Sequence, residues 1–432
     1  MRRNFYSSAA LQVLEKAIRL PVSLIMSILV ANYLGAEQFG ALTVAHTVVL
    51  IAAPIASLGL DEIVYQRLGN DRDPSQILST AILLRLGGFV LTYLVLLIYS
   101  FGFSGGQVDR AMVLTIGLIL ACSAFNPINM FLTVRGFGKV KVLIGLAAFA
   151  FISVFRLSLI MLGADLYMFA LAYLVETLTM ALLLTIYARR NGIGLSPRFV
   201  DSVLVRELMR AAFPLLLSHS MINVFTKIDI LMIQHFLGDA PVGQYAVAIR
   251  LVEVIAIFPA IVISALFPIA MTAKRDSQTE YFRVMNRILT LGYVFGVAAA
   301  MSFFFFGGWL VRTLYSEEFT QSADLLQVLC WAFVFQFFGS FSTLWMVNEG
   351  LQRYRVYRIA AAMVLNVCLN LIWIPAYGIS GAAYATLLSH FLSSILGNAF
   401  TAHTRPIFWL QVRVLLTFGL LQPRAQDDKR GA

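Results

Sequence analysis

The residues best placed to do chemistry are charges set inside long apolar runs. Lys16, Arg19, Arg85, Arg156, Glu176, Lys227, Asp229, Arg250 and Glu253 all interrupt stretches that otherwise read as hydrocarbon-compatible. Such charges are costly in a bilayer, so by default they face protein or water and mark function. Several share helical faces. Gln12, Lys16, Arg19, Ser23 and Ser27 recur at spacings of three and four, with Glu15 within reach of Arg19. Ser220, Asn223, Lys227 and Gln234 repeat that stripe, with Thr226 and Asp229 on a neighbouring face. Arg250 and Glu253 are three apart and can pair directly. With charges near the run ends set aside, Asp61 and Glu62 among them, the six cations Lys16, Arg19, Arg85, Arg156, Lys227 and Arg250 stand against Glu15, Glu176, Asp229 and Glu253. The surplus favours an anionic substrate.

Two physical readings of these charges stay open. Arg19, Arg85, Lys227 and Arg250 lie well inside their runs and are expected to line a water-filled cavity. Alternatively they are paired struts between helices. Lys16, Asp61 and Glu62 are close enough to a run end to snorkel. Polar residues such as Asn126, Asn129, Thr133, His390, Ser394, Asn398 and Thr401 also serve as ordinary glue between helices. No enzymatic pattern stands out, and no metal or cofactor is expected. The five histidines have no ligand spacing, and Gly136-Phe137-Gly138-Lys139 is not a phosphate loop. Cys122, Cys330 and Cys368 are scattered in apolar segments and read as core residues.

The elements that position these charges must be membrane helices. Of the 432 residues, 60% are hydrophobic and only 12% charged, which leaves little room for a soluble domain. The runs are too long and continuous for a β-barrel. The expected fold is all-α and polytopic. Twelve spans are read at 9–34, 40–67, 75–101, 110–134, 140–162, 164–188, 210–236, 243–273, 279–310, 323–347, 356–375 and 380–403. The first is read as a retained helix rather than a signal peptide, because no short apolar core ends in a cleavage site. Of the 32 Lys and Arg, 24 fall at the termini or in the even-numbered connections and the span ends beside them, and only Arg110 and Arg312 at the odd-numbered ones. That bias places both termini in the cytoplasm. It also explains the net charge of +10 without nucleic acid.

The chain reads as one unit written twice. Tyr33-Leu34-Gly35 and Gly40 fall opposite Phe236-Leu237-Gly238 and Gly243 at an offset of 203. Gly163 falls opposite Gly378 at an offset of 215, which places an insertion around Tyr315–Phe319. The expected organisation is a six-helix lobe over 1–188, a cytoplasmic linker over 189–209 and a second lobe over 210–404. A basic tail, 405–432, follows, in which 407–421 reads as an interfacial helix rather than a thirteenth span. Six helices per half put both halves the same way up, as pseudo-symmetric bundles.

The two Leu-Gly-x4-Gly hinges resemble the polysaccharide-unit (Wzx-type) flippases of the multidrug/oligosaccharidyl-lipid/polysaccharide exporter superfamily. Lys227-Ile228-Asp229-Ile230-Leu231-Met232-Ile233, Gly243-Gln244-Tyr245-Ala246-Val247-Ala248-Ile249-Arg250 and Tyr377–Thr386 carry the same likeness. The resemblance implies two six-helix bundles around a central cavity that opens alternately to either side. It implies a substrate of undecaprenyl pyrophosphate carrying a short glycan, moved from the cytoplasmic to the periplasmic leaflet of a bacterial inner membrane. It implies a cavity role for Arg250. Members related to lipid II flippases often have two helices beyond the twelve read here. A coupling ion, proton or sodium, and glycan polymerase machinery are the further partners this reading allows. The rivals are a cation-coupled drug exporter, which would favour carboxylates and aromatics in its cavity, and a membrane-embedded glycan-processing enzyme, which would need a large loop or a His/Asp constellation.

Overall fold

The computed structural model describes residues 2–70, 73–103, 109–255 and 257–417. Among them there is no β-strand, and the chain is almost entirely helical. Hydrocarbon offers no hydrogen-bond partner, so backbone groups must be satisfied within each segment, and helices do that. Many large apolar side chains point outward, including Val90, Leu94, Leu143, Val154, Phe306 and Ile372. The chain is an all-α polytopic membrane protein.

The packing forms two compact units, 1–243 and 244–432. The first contains α1 (Arg2–Ser57), α2 (Asp61–Asn70), α3 (Pro74–Ile98), α4 (Arg110–Gly117), α5 (Ile119–Ser123), α6 (Asn126–Val134), α7 (Gly138–Met161), α8 (Leu166–Arg190) and α9 (Ser202–Leu237). Its described apolar core gathers Leu60, Val64 and Leu68 of α2 and its approach with Leu78 and Ile82 of α3, Leu132 of α6, Leu184 of α8 and Leu208 of α9. α10 (Asp239–Ile255) leads into the second unit, which holds α11 (Ile257–Asp276), α12 (Gln278–Leu314), α13 (Gln321–Asn348), α14 (Gln352–Tyr377), α15 (Ile379–Ser394) and α16 (Arg405–Thr417). Its core is aromatic: Tyr281 of α12 and Phe333, Phe337, Phe338, Phe341 and Trp345 of α13 pack with Ile407, Leu410 and Val414 of α16.

Ten helical segments among the described residues are long and apolar enough to cross a bilayer. The first of these, Glu15–Ser57, has 43 residues, about twice a crossing. It turns at Gly35, where φ is 73° and ψ 174°. The segment read as the eighth span is shared between α10 and α11. Twelve crossings therefore require α1 to count twice and α10–α11 to cross together. Gly238, 203 residues after Gly35, has nearly the same conformation, φ 90° and ψ −170°. Gly163 and Gly378, the second matched pair, have φ of 67° and 63°. These values suit glycine, which has no Cβ to clash.

Three boundaries differ from expectation. The span read as 40–67 ends at Ser57. Leu58 and Gly59 both take positive φ, and a Cβ on Gly59 would collide with the backbone of Leu216, so the chain breaks where α9 passes. The span read as 110–134 is interrupted twice, the second time just before Pro127, which cannot donate a helical hydrogen bond. The compact units divide after Gly243, whereas the sequence boundary lay in 189–209. That connection is tied to the first unit: Ser79 Oγ donates to Gly194 O at 3.3 Å, and Gln76 Nε2 donates to Asp201 Oδ2 at 3.1 Å. In the tail, the described part of α16 is about 20 Å long, less than a bilayer crossing. It docks by Ile407, Leu410, Gln411 and Val414, one buried face at helical spacing. Residues 418–421 lie outside the described residues.

Candidate functional site

The hinge glycines meet each other. A Cβ on Gly40 would collide with the carbonyl oxygen of Asp239, and a Cβ on Gly243 with that of Ala36. Ala36 and Asp239 are themselves repeat-equivalent, so the contact is reciprocal, as across a local two-fold axis. From there the second half of α1 runs antiparallel to α9. Asn223 Nδ2 donates to Leu50 O at 2.8 Å. Leu50 O is the carbonyl that Pro54 cannot satisfy within the helix, so a polar side chain of α9 takes that place.

The intramembrane charges of the first unit separate into two kinds. Arg85, expected beside water, is 3% exposed. It donates to Asp61 of α2 and, at 3.4 Å, to Ser123 O. Ser123 O is the carbonyl orphaned by Pro127, so Arg85 repairs the broken span while neutralising Asp61. Glu62, beside Asp61, reaches His219 of α9 at 3.2 Å. Arg156 pairs with Glu176 at 2.8 Å and lies over the ring of Tyr173, which stacks on His46. Arg85 and Arg156 thus tie helices together.

Arg19 is different. Glu15 approaches it at 3.2 Å, yet 39% of its side chain stays exposed. Its guanidinium sits 5.1 Å from the centre of the Phe149 ring. Glu15 is held against Gly145, where any side chain would displace the carboxylate. Lys16 is exposed and Lys227 is half-buried, while Asp229 is buried on the same helix. In the second unit Arg250 and Glu253 stand 3.7 Å apart with side chains 48% and 43% exposed. The start of α10 is anchored by Gln244. Its amide donates to Glu318 O, and its Oε1 accepts from Ser322 N at 3.1 Å.

Some polar residues escaped the sequence reading. Arg358 is buried in the second unit, although its sequence position served only to set the topology. Asn366 and Asn370, buried on α14, bond to each other at 3.2 Å. Their four-residue spacing inside an apolar run is the signal that could have found them. His46 against Tyr173 left no comparable signal, because the two rings come from distant helices.

An all-helical chain with many helices long and apolar enough to cross a bilayer fits a membrane transporter. Residues 2–273 match the model of the polysaccharide biosynthesis protein family, and the chain belongs to that family. Residues 214–372 also match the MatE model. The chain is similar to the probable low-salt glycan biosynthesis flippase Agl15 of Haloferax volcanii, 25% identical over 409 residues, covering 90% of this chain and 84% of the relative. It is also similar to the probable flippase AglR of the same organism, 28% identical over 176 residues, covering 40% and 37% of the two chains. Among solved structures, an inward-facing multidrug resistance MATE family transporter of the MOP superfamily gives a TM-score of 0.71 at 15% identity, covering 92% of this chain and 95% of the other. The lipid II flippase MurJ, inward closed, gives 0.70 at 13%, covering 94% and 91%. At these identities the likeness fixes the fold of the superfamily.

Proposed function

We propose that this protein is a flippase for lipid-linked oligosaccharides. It moves the glycan headgroup on polyprenyl pyrophosphate, undecaprenyl in a bacterial inner membrane, from the cytoplasmic to the outer leaflet for surface-glycan synthesis. The observation that carries this reading is the exposure of Arg19 and Arg250 inside apolar helices even though each has an acid beside it. A pyrophosphate cannot cross hydrocarbon unaided, and guanidinium groups bind phosphate oxygens in pairs of charge-assisted hydrogen bonds. Lys227 adds a third cation. Arg85 and Arg156, each closed on an acid, are assigned to holding the helices. The prenyl tail remains in lipid throughout. Both termini are assigned to the cytoplasm.

The family match and the nearly full-length likeness to a named glycan flippase support the same substrate class. The MatE match and the multidrug transporter fold favour one second reading, drug export. Vesicles holding the purified protein and a fluorescent lipid-linked oligosaccharide separate the two. A flippase exposes the inner-leaflet label to an impermeant quencher and moves no cationic dye. Dye transport without label exposure would overturn the reading.

A further inference from the structure

The second unit contains a buried cation that has no carboxylate partner among the described residues. Arg358, in the second turn of α14, is 7% exposed. Its NH1 donates to Ser342 Oγ at 3.2 Å and to Asn398 Oδ1 at 2.5 Å. Its Nε, sealed from solvent, has no acceptor among the described residues. Both acceptors are neutral, and among the described residues no carboxylate pairs with Arg358.

Its own helix and the elbow that covers it supply none. From Gly350 to Gln426 there is no Asp or Glu, whereas Arg353, Arg355, Arg358, Arg405, Arg413 and Arg424 all fall in that stretch. Glu349, just before it, pairs with Lys274 at 2.9 Å. An ion taken out of water without a counter-ion is strongly unfavourable.

The surroundings nevertheless hold Arg358 in a fixed pose. Asn398 lies in the elbow between α15 and α16. Its Nδ2 donates to Gln411 Oε1 at 2.8 Å and to Ser394 O at 3.0 Å, which turns Oδ1 toward the guanidinium. Gly397 lets the elbow close, because a Cβ there would come within 2.9 Å of Arg358 Cγ. Arg355, three residues earlier on the same helix and exposed, continues the positive charge to the surface. Arg405, also exposed, adds a further charge from the end of the elbow. Tyr357, Phe400 and Trp409 are exposed on the flanking segments. Such aromatics are enriched where a helix meets lipid headgroups.

We infer that Arg358 and Arg355, with the 396–405 elbow, form a binding site for the phosphate of a net-anionic lipid headgroup, one whose phosphate charge is not already balanced by a headgroup cation. A phosphate supplies the missing negative charge and several acceptors, and guanidinium is the side chain suited to bind it in pairs. The position fits a headgroup: α14 is one of the candidate spans, and these arginines occupy its first two turns on the basic side of the protein. The inference concerns binding and stands apart from the transport reading.

The test uses the purified full-length chain in neutral detergent, with lipid retention followed by native mass spectrometry. Phosphatidylglycerol should be retained and phosphatidylcholine should not. Arg358→Gln should weaken phosphatidylglycerol binding roughly tenfold, the scale of one lost charge-assisted hydrogen bond. Because Arg358 also holds the elbow, that variant can misfold. Arg355→Gln removes an exposed side chain and should weaken binding about threefold with an unchanged thermal midpoint. Displacement by polyprenyl phosphate would assign the site to a carrier lipid, and resistance to it would assign the site to bulk phospholipid; both outcomes support a phosphate site. Equal retention of phosphatidylcholine, or wild-type affinity in Arg355→Gln and in folded Arg358→Gln, would overturn the inference.

Discussion

Arg85 and Arg250 are both cations within apolar helices, and the structure gives them opposite settings. Arg85 is enclosed, with Asp61 and a proline-freed carbonyl as its partners. Removing it leaves a backbone oxygen and a carboxylate, itself 38% exposed, without their donor, a loss on the order of 1–3 kcal/mol. Arg250 and Glu253 remain nearly half exposed, a setting in which ion pairs contribute about 0–1 kcal/mol. Arg85→Ala is therefore expected to deplete the protein from the membrane, with abundance partly restored by adding Asp61→Asn. Arg250→Ala should leave abundance intact and lower glycan export about tenfold or more, with no rescue from Glu253→Gln. Immunoblots of membranes beside a surface-glycan assay measure both. Rescue of Arg250→Ala by Glu253→Gln would make that pair a strut.

At the scale of elements, the hinge contact joins the middle of α1 to the start of α10. Gly40 and Gly243 are required there because each faces the other hinge's backbone at a separation that excludes a Cβ. Asp239 lies in this contact. Burial raises its carboxyl above the usual range; a hydrogen bond from Gln234 opposes the shift, and the charge of Glu37 adds to it. A raised carboxyl pKa means that the fold prefers the protonated form. Its stabilising contribution is present below the ordinary carboxylate pKa and is lost as pH rises through the raised value. Asp239→Asn should therefore raise the thermal midpoint near neutral pH and flatten its decline between acid and neutral pH. Unchanged pH dependence in the variant would remove Asp239 from this role.

At the scale of the whole molecule, the basic residues predict which connections face the cytoplasm. In a background lacking Cys122, Cys330 and Cys368, a cysteine at Glu317 should react with an impermeant thiol reagent from outside. A cysteine at Asn191 should react only after the membrane is opened. Both positions are exposed, so access depends on sidedness rather than burial. Labelling of Glu317→Cys only from the cytoplasmic face would invert the topology.

What the sequence determined by itself is what depends on local spacing or on the solvent. Long apolar runs become helices because hydrocarbon leaves backbone groups no other partner. Glu15–Arg19 and Arg250–Glu253 were legible because spacings of four and three bring side chains together on any helix. The hinge glycines were legible because positive φ and close approach select glycine. Tertiary structure alone decided which distant groups meet. Asp61 reaches Arg85 because the chain breaks at Gly59 where α9 passes, and no spacing rule spans those 24 residues. The prolines marked in advance which carbonyls would lack partners; only packing chose Asn223 for Leu50 and Arg85 for Ser123. Arg358 read as a topology signal until the elbow of α15 and α16 closed over it, since burial is a property of the neighbours a side chain acquires rather than of its own type.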